Sequence, residues 1–482
     1  MQFILLAISI LLTRYLGKES LGIYATLLVI PAFVRLLNSF GLETLTNKCL
    51  PEINVSDPSG RQGRFLVRRI LLIRLLTTGV FCGLLYISLP TYLGWIHQAE
   101  LLSYRPVLIL YFCAITLDSL MSTLFMTWLR YKVIAITETA CSALNLILLA
   151  VFIVLDFGIV GVLYSYLLSL TINILIYIAL SFGRLRGETT PVLWDDMPQL
   201  AWASYAVGLL SFGLMTQSDV VMMNFFQVPS GDVGFYYLAT GLSAMLAFAA
   251  AGVGPLALSL FSETYAREST QGLSKLWCQI VGFSAFLTAP IYLFALLHAK
   301  SILMFVYGVE FAGAALIFVL YTVFTSAQTL LGHNFTFSTL YVIARQKLAV
   351  RSTVEGSLLN IGLNLILIPQ FGVLGAVGGT GGAMVYIVLR QLACIDRELQ
   401  IRPVFPLIAR SLLYSAIAGV PTLLIAHFLF QQVIAILLCY LVLFYLTLLA
   451  LKPFTPEHQK LVQEIQPGLE SWIKPFVRRD AA

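Results

Sequence analysis

The chain has 482 residues, of which 59% are apolar and only 11% charged, with a formal net charge of +6. Soluble domains carry about 25% charged residues, so a water-soluble enzyme or binding module of this length is excluded. The basic excess sits in short runs between apolar stretches, the pattern of cytoplasmic loops in a membrane protein and not of a nucleic-acid-binding surface.

A helix needs about 20 apolar residues to cross a bilayer, whereas a membrane β-barrel would show shorter alternating segments. Read in chain order, apolar runs predict helical spans over 1–13, 22–46, 65–89, 106–128, 133–155, 159–182 and 199–224. A second series follows over 234–258, 276–297, 312–340, 348–368, 372–392, 406–430 and 433–451. The expected fold is therefore all-α and polytopic, with about 14 transmembrane helices. The seventh and tenth are the least regular, the tenth because it contains Gly332, His333 and Asn334. The first is short: thirteen residues rise about 20 Å at 1.5 Å per residue, against roughly 30 Å of hydrocarbon. Met1 falls directly in the apolar run, which predicts an upstream start, and the segment lacks the basic flank and small-residue site of a cleavable signal.

The basic residues fix an expected orientation. With the N-terminus in the cytoplasm, 23 of the 29 Lys and Arg fall on the cytoplasmic side and 4 on the other, with Arg35 and Arg74 inside spans. This positive-inside bias puts both termini in the cytoplasm of a cell inner membrane. Trp95, Trp128, Trp194, Trp202 and Trp277 lie near predicted span ends, where indole rings favour the interface.

Two stretches repeat. The stretch Leu16–Ala25 echoes Val228–Tyr237, aligned on Gly22 and Gly234 at an offset of 212, and Phe157–Gly158–Ile159–Val160–Gly161 echoes Phe371–Gly372–Val373–Leu374–Gly375 at 214. An offset of six helices preserves orientation, which predicts two parallel six-helix lobes, 1–182 and 199–392. A helix pair over 406–451 and a cytoplasmic tail over 452–482 complete the expected organisation. Parallel lobes flanking a cavity are a layout of alternating-access transporters.

Several chemistries find no support. There is no GxxxxGK[ST] loop and no HExxH, and the five His are dispersed, so neither ATP hydrolysis nor a metal or other cofactor is expected. The cluster Gly378, Gly379, Gly381 and Gly382 lies within a span, where small residues allow close helix contact. The seven Cys are scattered and read as small core residues.

An ordered set of motifs resembles one family. Arg14–Tyr15–Leu16–Gly17, Gly22–Ile23–Tyr24–Ala25 and Phe40–Gly41–Leu42 open the series. Asp219, Val233–Gly234–Phe235–Tyr236, Tyr307–Gly308–Val309–Glu310–Phe311 and the stretch from Leu367 to Ala376 continue it. Together they resemble Wzx-type O-antigen and polysaccharide flippases of the multidrug/oligosaccharidyl-lipid/polysaccharide (MOP) exporter superfamily. The resemblance implies fourteen helices in two lobes, no enzymatic activity, and translocation of undecaprenyl-diphosphate-linked oligosaccharide from the cytoplasmic to the periplasmic leaflet. It also implies as partners the lipid bilayer and the polymerase and glycosyltransferases of the same pathway, and no nucleic acid. The clipped first helix departs from the family pattern. A multidrug or peptidoglycan-precursor exporter is the alternative within the superfamily. A membrane-embedded glycosyltransferase or polymerase is the alternative outside it, disfavoured because the longest outer loop, over 90–105, is short.

Charges within spans are the candidate site, because each costs about 2.5–3.5 kcal/mol to insert unless it meets a cavity or a partner. They are Arg35, Arg74, Asp118, Glu138 and Asp219, with Gln217 beside the last. Two readings stand. Arg74 pairs with Asp118 and holds the first lobe together, or Arg35 faces a cavity and receives diphosphate or an acidic sugar through its planar fork. Asp219 matches a position often acidic in the family, which leaves a cavity or gating role beside capping of its helix. Gln217 and Asn224 offer groups for sugar hydroxyls.

Overall fold

The computed structural model describes residues 2–192, 197–211, 216–250, 254–428, 432–454, 456, 459 and 474–477. Among the described residues the regular structure is helical, apart from one isolated bridge between Phe454 and Val477. The first helices are α1 (Gln2–Leu37), α2 (Leu42–Ser56), α3 (Arg61–Trp95), α4 (Arg105–Thr127), α5 (Tyr131–Val154) and α6 (Gly158–Leu185). There follow α7 (Met197–Ser211), α8 (Thr216–Phe225), α9 (Ser230–Ala250), α10 (Gly254–Leu297) and α11 (Ala299–Val306). The series ends with α12 (Ala315–Leu330), α13 (His333–Val342), α14 (Gln346–Phe371), α15 (Val373–Leu399), α16 (Val404–Phe428) and α17 (Val433–Leu451). The tail beyond 459, except 474–477, and Trp194 lie outside the described residues.

Eleven helical stretches among the described residues are long and apolar enough to cross a membrane. The first two expected spans are carried by α1, in which two helical segments meet at Gly17. The expected loop over 14–21 thus shrinks to one residue. Gly17 has φ 68° and ψ 175°, a conformation that ends a helix abruptly and that glycine adopts freely. The seventh expected span is α7 and α8, with 212–215 between them outside the described residues. The tenth is broken at Gly332 (φ 78°), between α12 and α13. Elsewhere helices outrun their apolar runs. The backbone of α10 is helical from Gly254, well before the apolar run at 276, with a kink at Ser269. Apolar content reports bilayer thickness, whereas helical hydrogen bonding continues into water when side chains such as Glu263 and Arg267 pair along it.

The molecule divides into two compact units, Met1–Tyr237 with Asn364–Ala376, and Leu238–Leu363 with Val377–Ala482. In the first, α1 packs on α4, α5, α6 and α8, and α2 packs on α3, α4 and α7. Its core joins Leu45, Leu50, Leu66, Ile70, Leu124 and Phe125. In the second, α10 packs on α12, α13 and α16, and α16 on α17. Trp277, expected at an interface, is instead fully buried in this unit's core beside Gly332, because α10 extends on both sides of it. Trp95 and Trp202 are exposed, as interface residues would be.

Leu72, Leu76, Val80, Leu84 and Ile87 form one exposed stripe along α3. Spacing of three or four residues puts them on one helix face. An exposed apolar stripe of that length belongs against lipid.

Two glycines of the repeated stretches share a backbone conformation. Gly158 and Gly372, matched in the second repeated stretch, both take the left-handed conformation, with φ 59° and 55°. Gly22 and Gly234, matched in the first, lie against each other. A methyl group on Gly22 would overlap the Ser230 carbonyl, and one on Gly234 would overlap that of Lys18. In the second unit, Gly381 lies so close to the Phe324 ring that any side chain would clash.

Candidate functional site

The site begins where α1 ends. After Leu37 the chain breaks over 38–41, with Phe40 and Gly41 both at positive φ, and restarts as α2. A helix end leaves carbonyls without intrahelical donors, and in an apolar environment each needs a partner. Two side chains supply them. The Tyr205 hydroxyl of α7 donates to the Leu37 carbonyl at 2.9 Å. Arg74 of α3 donates to the carbonyl of Asn38 through Nη1 and, at 3.5 Å, to that of Ser39 through Nη2. The Asn38 side chain donates in turn to Thr78 at 3.0 Å.

Arg74 is completely buried, and its Nη2 also meets the carboxylate of Glu43 in the first turn of α2. The expected pair of Arg74 with Asp118 is therefore not formed. Asp118 of α4 instead accepts a hydrogen bond from Asn173 of α6 at 2.8 Å. The reason is local: Arg74 is drawn to the carbonyls at the α1 break, and the restart of α2 brings Glu43 to the same place. Glu43 was missed in the sequence; a carboxylate at the end of an otherwise apolar predicted span was the available signal.

Arg35 has different surroundings. It is exposed, at the wall of a cavity of about 210 Å³ lined by Ala32, Arg35, Leu36, Ser39, Glu43, Ser119 and Gln217. Its Nη1 donates to the Ser119 hydroxyl at 3.3 Å, and among the described residues it forms no ion pair. Positions 35, 39 and 43 reach one cavity because the break turns the chain between them. Of the six residues singled out in the sequence, Arg35 and Gln217 line this cavity, and Arg74 holds the adjoining wall through Glu43.

The other three lie elsewhere. Asp118 follows its bond to Asn173, and Glu138 of α5 accepts from Ser122 at 3.4 Å. Asp219 is fully buried in the first turn of α8, where it accepts from the Tyr236 hydroxyl and, at 2.7 Å, from Asn364 of α14. Asn224 is buried and exchanges hydrogen bonds with Thr26 of α1, so it serves packing and not a sugar. Tyr236 was visible in the sequence only as part of a repeated motif.

Chemically, the cavity offers one guanidinium with several N–H donors, two hydroxyls, an amide and a carboxylate already engaged by Arg74. Its volume equals about seven waters at roughly 30 Å³ each. That is the size of a phosphate or diphosphate group and too small for an oligosaccharide.

The long apolar helices, the lipid-facing stripe and the charged groups held between helices define a multi-pass α-helical membrane protein. The model for the polysaccharide biosynthesis protein family matches residues 1–254, and the chain belongs to that family. Its structure is similar to that of the lipid II flippase MurJ in an inward closed conformation, with a TM-score of 0.73, 15% identity, and coverage of 92% of this chain and 95% of that one. It is also similar to an inward-facing multidrug resistance MATE family transporter of the MOP superfamily, with a TM-score of 0.67, 17% identity, and coverage of 83% and 96%. At these identities the likeness establishes a shared fold. No curated protein is matched by the sequence.

Proposed function

We propose that this protein flips a polyprenyl-diphosphate-linked oligosaccharide, of the O-antigen or a related polysaccharide, from the cytoplasmic to the periplasmic leaflet of the inner membrane. The observation that carries the reading is the contrast between Arg74, buried within α3, and Arg35, exposed in the last turn of α1. Arg74 is spent on Glu43 and backbone carbonyls, whereas Arg35 stands in a cavity of diphosphate size with only Ser119 bonded to it. A cation that costs several kcal/mol to insert is retained where it meets an anion, and apolar surroundings strengthen that attraction. In this reading both termini are cytoplasmic, the two repeats form lobes that alternate access, and glycosyltransferases and a polymerase supply and consume the substrate.

The test is polysaccharide export alongside membrane abundance. Arg35→Ala is expected to abolish export at normal abundance. Arg35→Lys, which keeps the charge and loses the fork, should retain part of it. Full export by a well-inserted Arg35→Ala protein overturns the reading.

A further inference from the structure

A charged cluster that shares no residue with the Arg35 cavity lies in the second unit, where α14 begins and α15 ends. Glu355 of α14 accepts from Arg351 Nε at 2.7 Å and from the Tyr386 hydroxyl of α15 at 2.8 Å. Arg390 of α15 brings its Nε to 3.8 Å from the same carboxylate. Glu355 is partly buried, whereas the Arg351 side chain is 69% exposed and that of Arg390 44%. One carboxylate therefore orients two arginines and neutralises only one of them. Lys347, one turn before Arg351, and Arg397, two turns after Arg390, are exposed on the same helix faces and add to the positive charge.

The depth of the cluster is set by its helices. Arg351 lies three residues inside the apolar run 348–368, and Arg390 two residues before the end of the run 372–392. Both arginines thus stand at the edge of the hydrocarbon, the level of lipid headgroups. Further along α14 the same face turns apolar: Leu358 is exposed, and Gly362 has open space where a side chain would stand. From Arg351 to Gly362 the helix rises about 16 Å at 1.5 Å per residue, half of the roughly 30 Å of hydrocarbon. The face matches one leaflet, with charge at the headgroup, then a leucine, then a notch.

We infer that this face is a site for an anionic phospholipid of the bilayer, with its phosphate on Arg351 and Arg390 and an acyl chain along Leu358 and Gly362. Charge and depth together select the occupant. A guanidinium bonds two phosphate oxygens at once. A zwitterionic headgroup offsets that attraction with its own ammonium, and a soluble phosphate makes no use of the apolar half. Polarity changes along one continuous helix face, so a single amphiphile meets both parts.

Native mass spectrometry of the full chain tests this, with phosphatidylglycerol and phosphatidylethanolamine of matched acyl chains added to the detergent micelles. The wild type is expected to hold phosphatidylglycerol about fivefold more tightly or better, the effect of one basic residue at an anionic surface. Arg351→Ala combined with Arg390→Ala alters only exposed side chains and should bring the two lipids within about twofold of each other. Lys132→Ala combined with Lys452→Ala removes the same charge from exposed positions elsewhere and should leave the preference intact. Equal loss in the two double variants would assign the preference to net charge and overturn the site, as would no loss in the arginine variant. Displacement of phosphatidylglycerol by an equimolar amount of glycerol 3-phosphate would show a soluble phosphate as occupant and overturn the lipid.

Discussion

Arg74 and Glu43 form an ion pair, fully buried on the arginine side, that seals the break between α1 and α2. The same guanidinium binds the carbonyls of Asn38 and Ser39, so one residue caps a helix end and fixes the carboxylate at the cavity edge.

Removing one partner of a buried pair strands the other charge and costs about 3–5 kcal/mol. Glu43→Gln is therefore expected to lower stability by about that amount, measured by denaturant unfolding in detergent micelles. Asp118→Asn preserves the polar contact with Asn173 and should cost no more than about 1.5 kcal/mol. Equal losses for the two variants would contradict the pairing.

The approach of Gly22 to Gly234 makes a second prediction. Gly22→Ala has no room beside the Ser230 carbonyl and is expected to cost about 1–3 kcal/mol through overpacking. Gly79→Ala, in α3 with open space around it, should be neutral or stabilising by up to about 1 kcal/mol, because alanine is the better helix former. Thermal stability of the two variants side by side checks this, and a stable Gly22→Ala protein would refute the close contact.

Cys82 of α3 and Cys113 of α4 have their sulfurs 3.2 Å apart. Treatment of membranes with copper phenanthroline should join them, so that two of the seven thiols no longer react with maleimide under denaturing conditions. Cys82→Ser should restore the reactivity of Cys113. Seven reactive thiols after oxidation would place α3 and α4 differently.

Asp57, between α2 and α3, accepts from the Gln62 amide at 2.8 Å and from the Ser59 hydroxyl, and these bonds hold its carboxyl below the ordinary value of 3.8. A lowered value stabilises the turn fully above that pH, and the stabilisation is lost as acidification protonates the carboxylate below it. Amide exchange at residues 59–62 should therefore show added opening on acidification below about pH 4, after correction for intrinsic rates. In Asp57→Asn that added opening should be absent; its persistence would show that another group controls the turn.

Composition and periodicity determined the class of this protein. A chain with 11% charged residues and repeated apolar runs has no folded solution in water, so helices crossing lipid follow from the bulk numbers. The breaks at Gly17 and Gly332 were marked by glycine and polar residues, and the matched glycines Gly158 and Gly372 share one backbone conformation. Partner choice among the membrane charges was not legible. Arg74 meets Glu43 at the break over 38–41, where its guanidinium also binds the Asn38 carbonyl. Likewise Asp219, Tyr236 and Asn364 are separated by up to 145 residues and meet only in the tertiary structure. Sequence spacing reports which residues share a helix face, but which faces meet is settled by packing, and it was packing that left Arg35 at the cavity and buried Arg74.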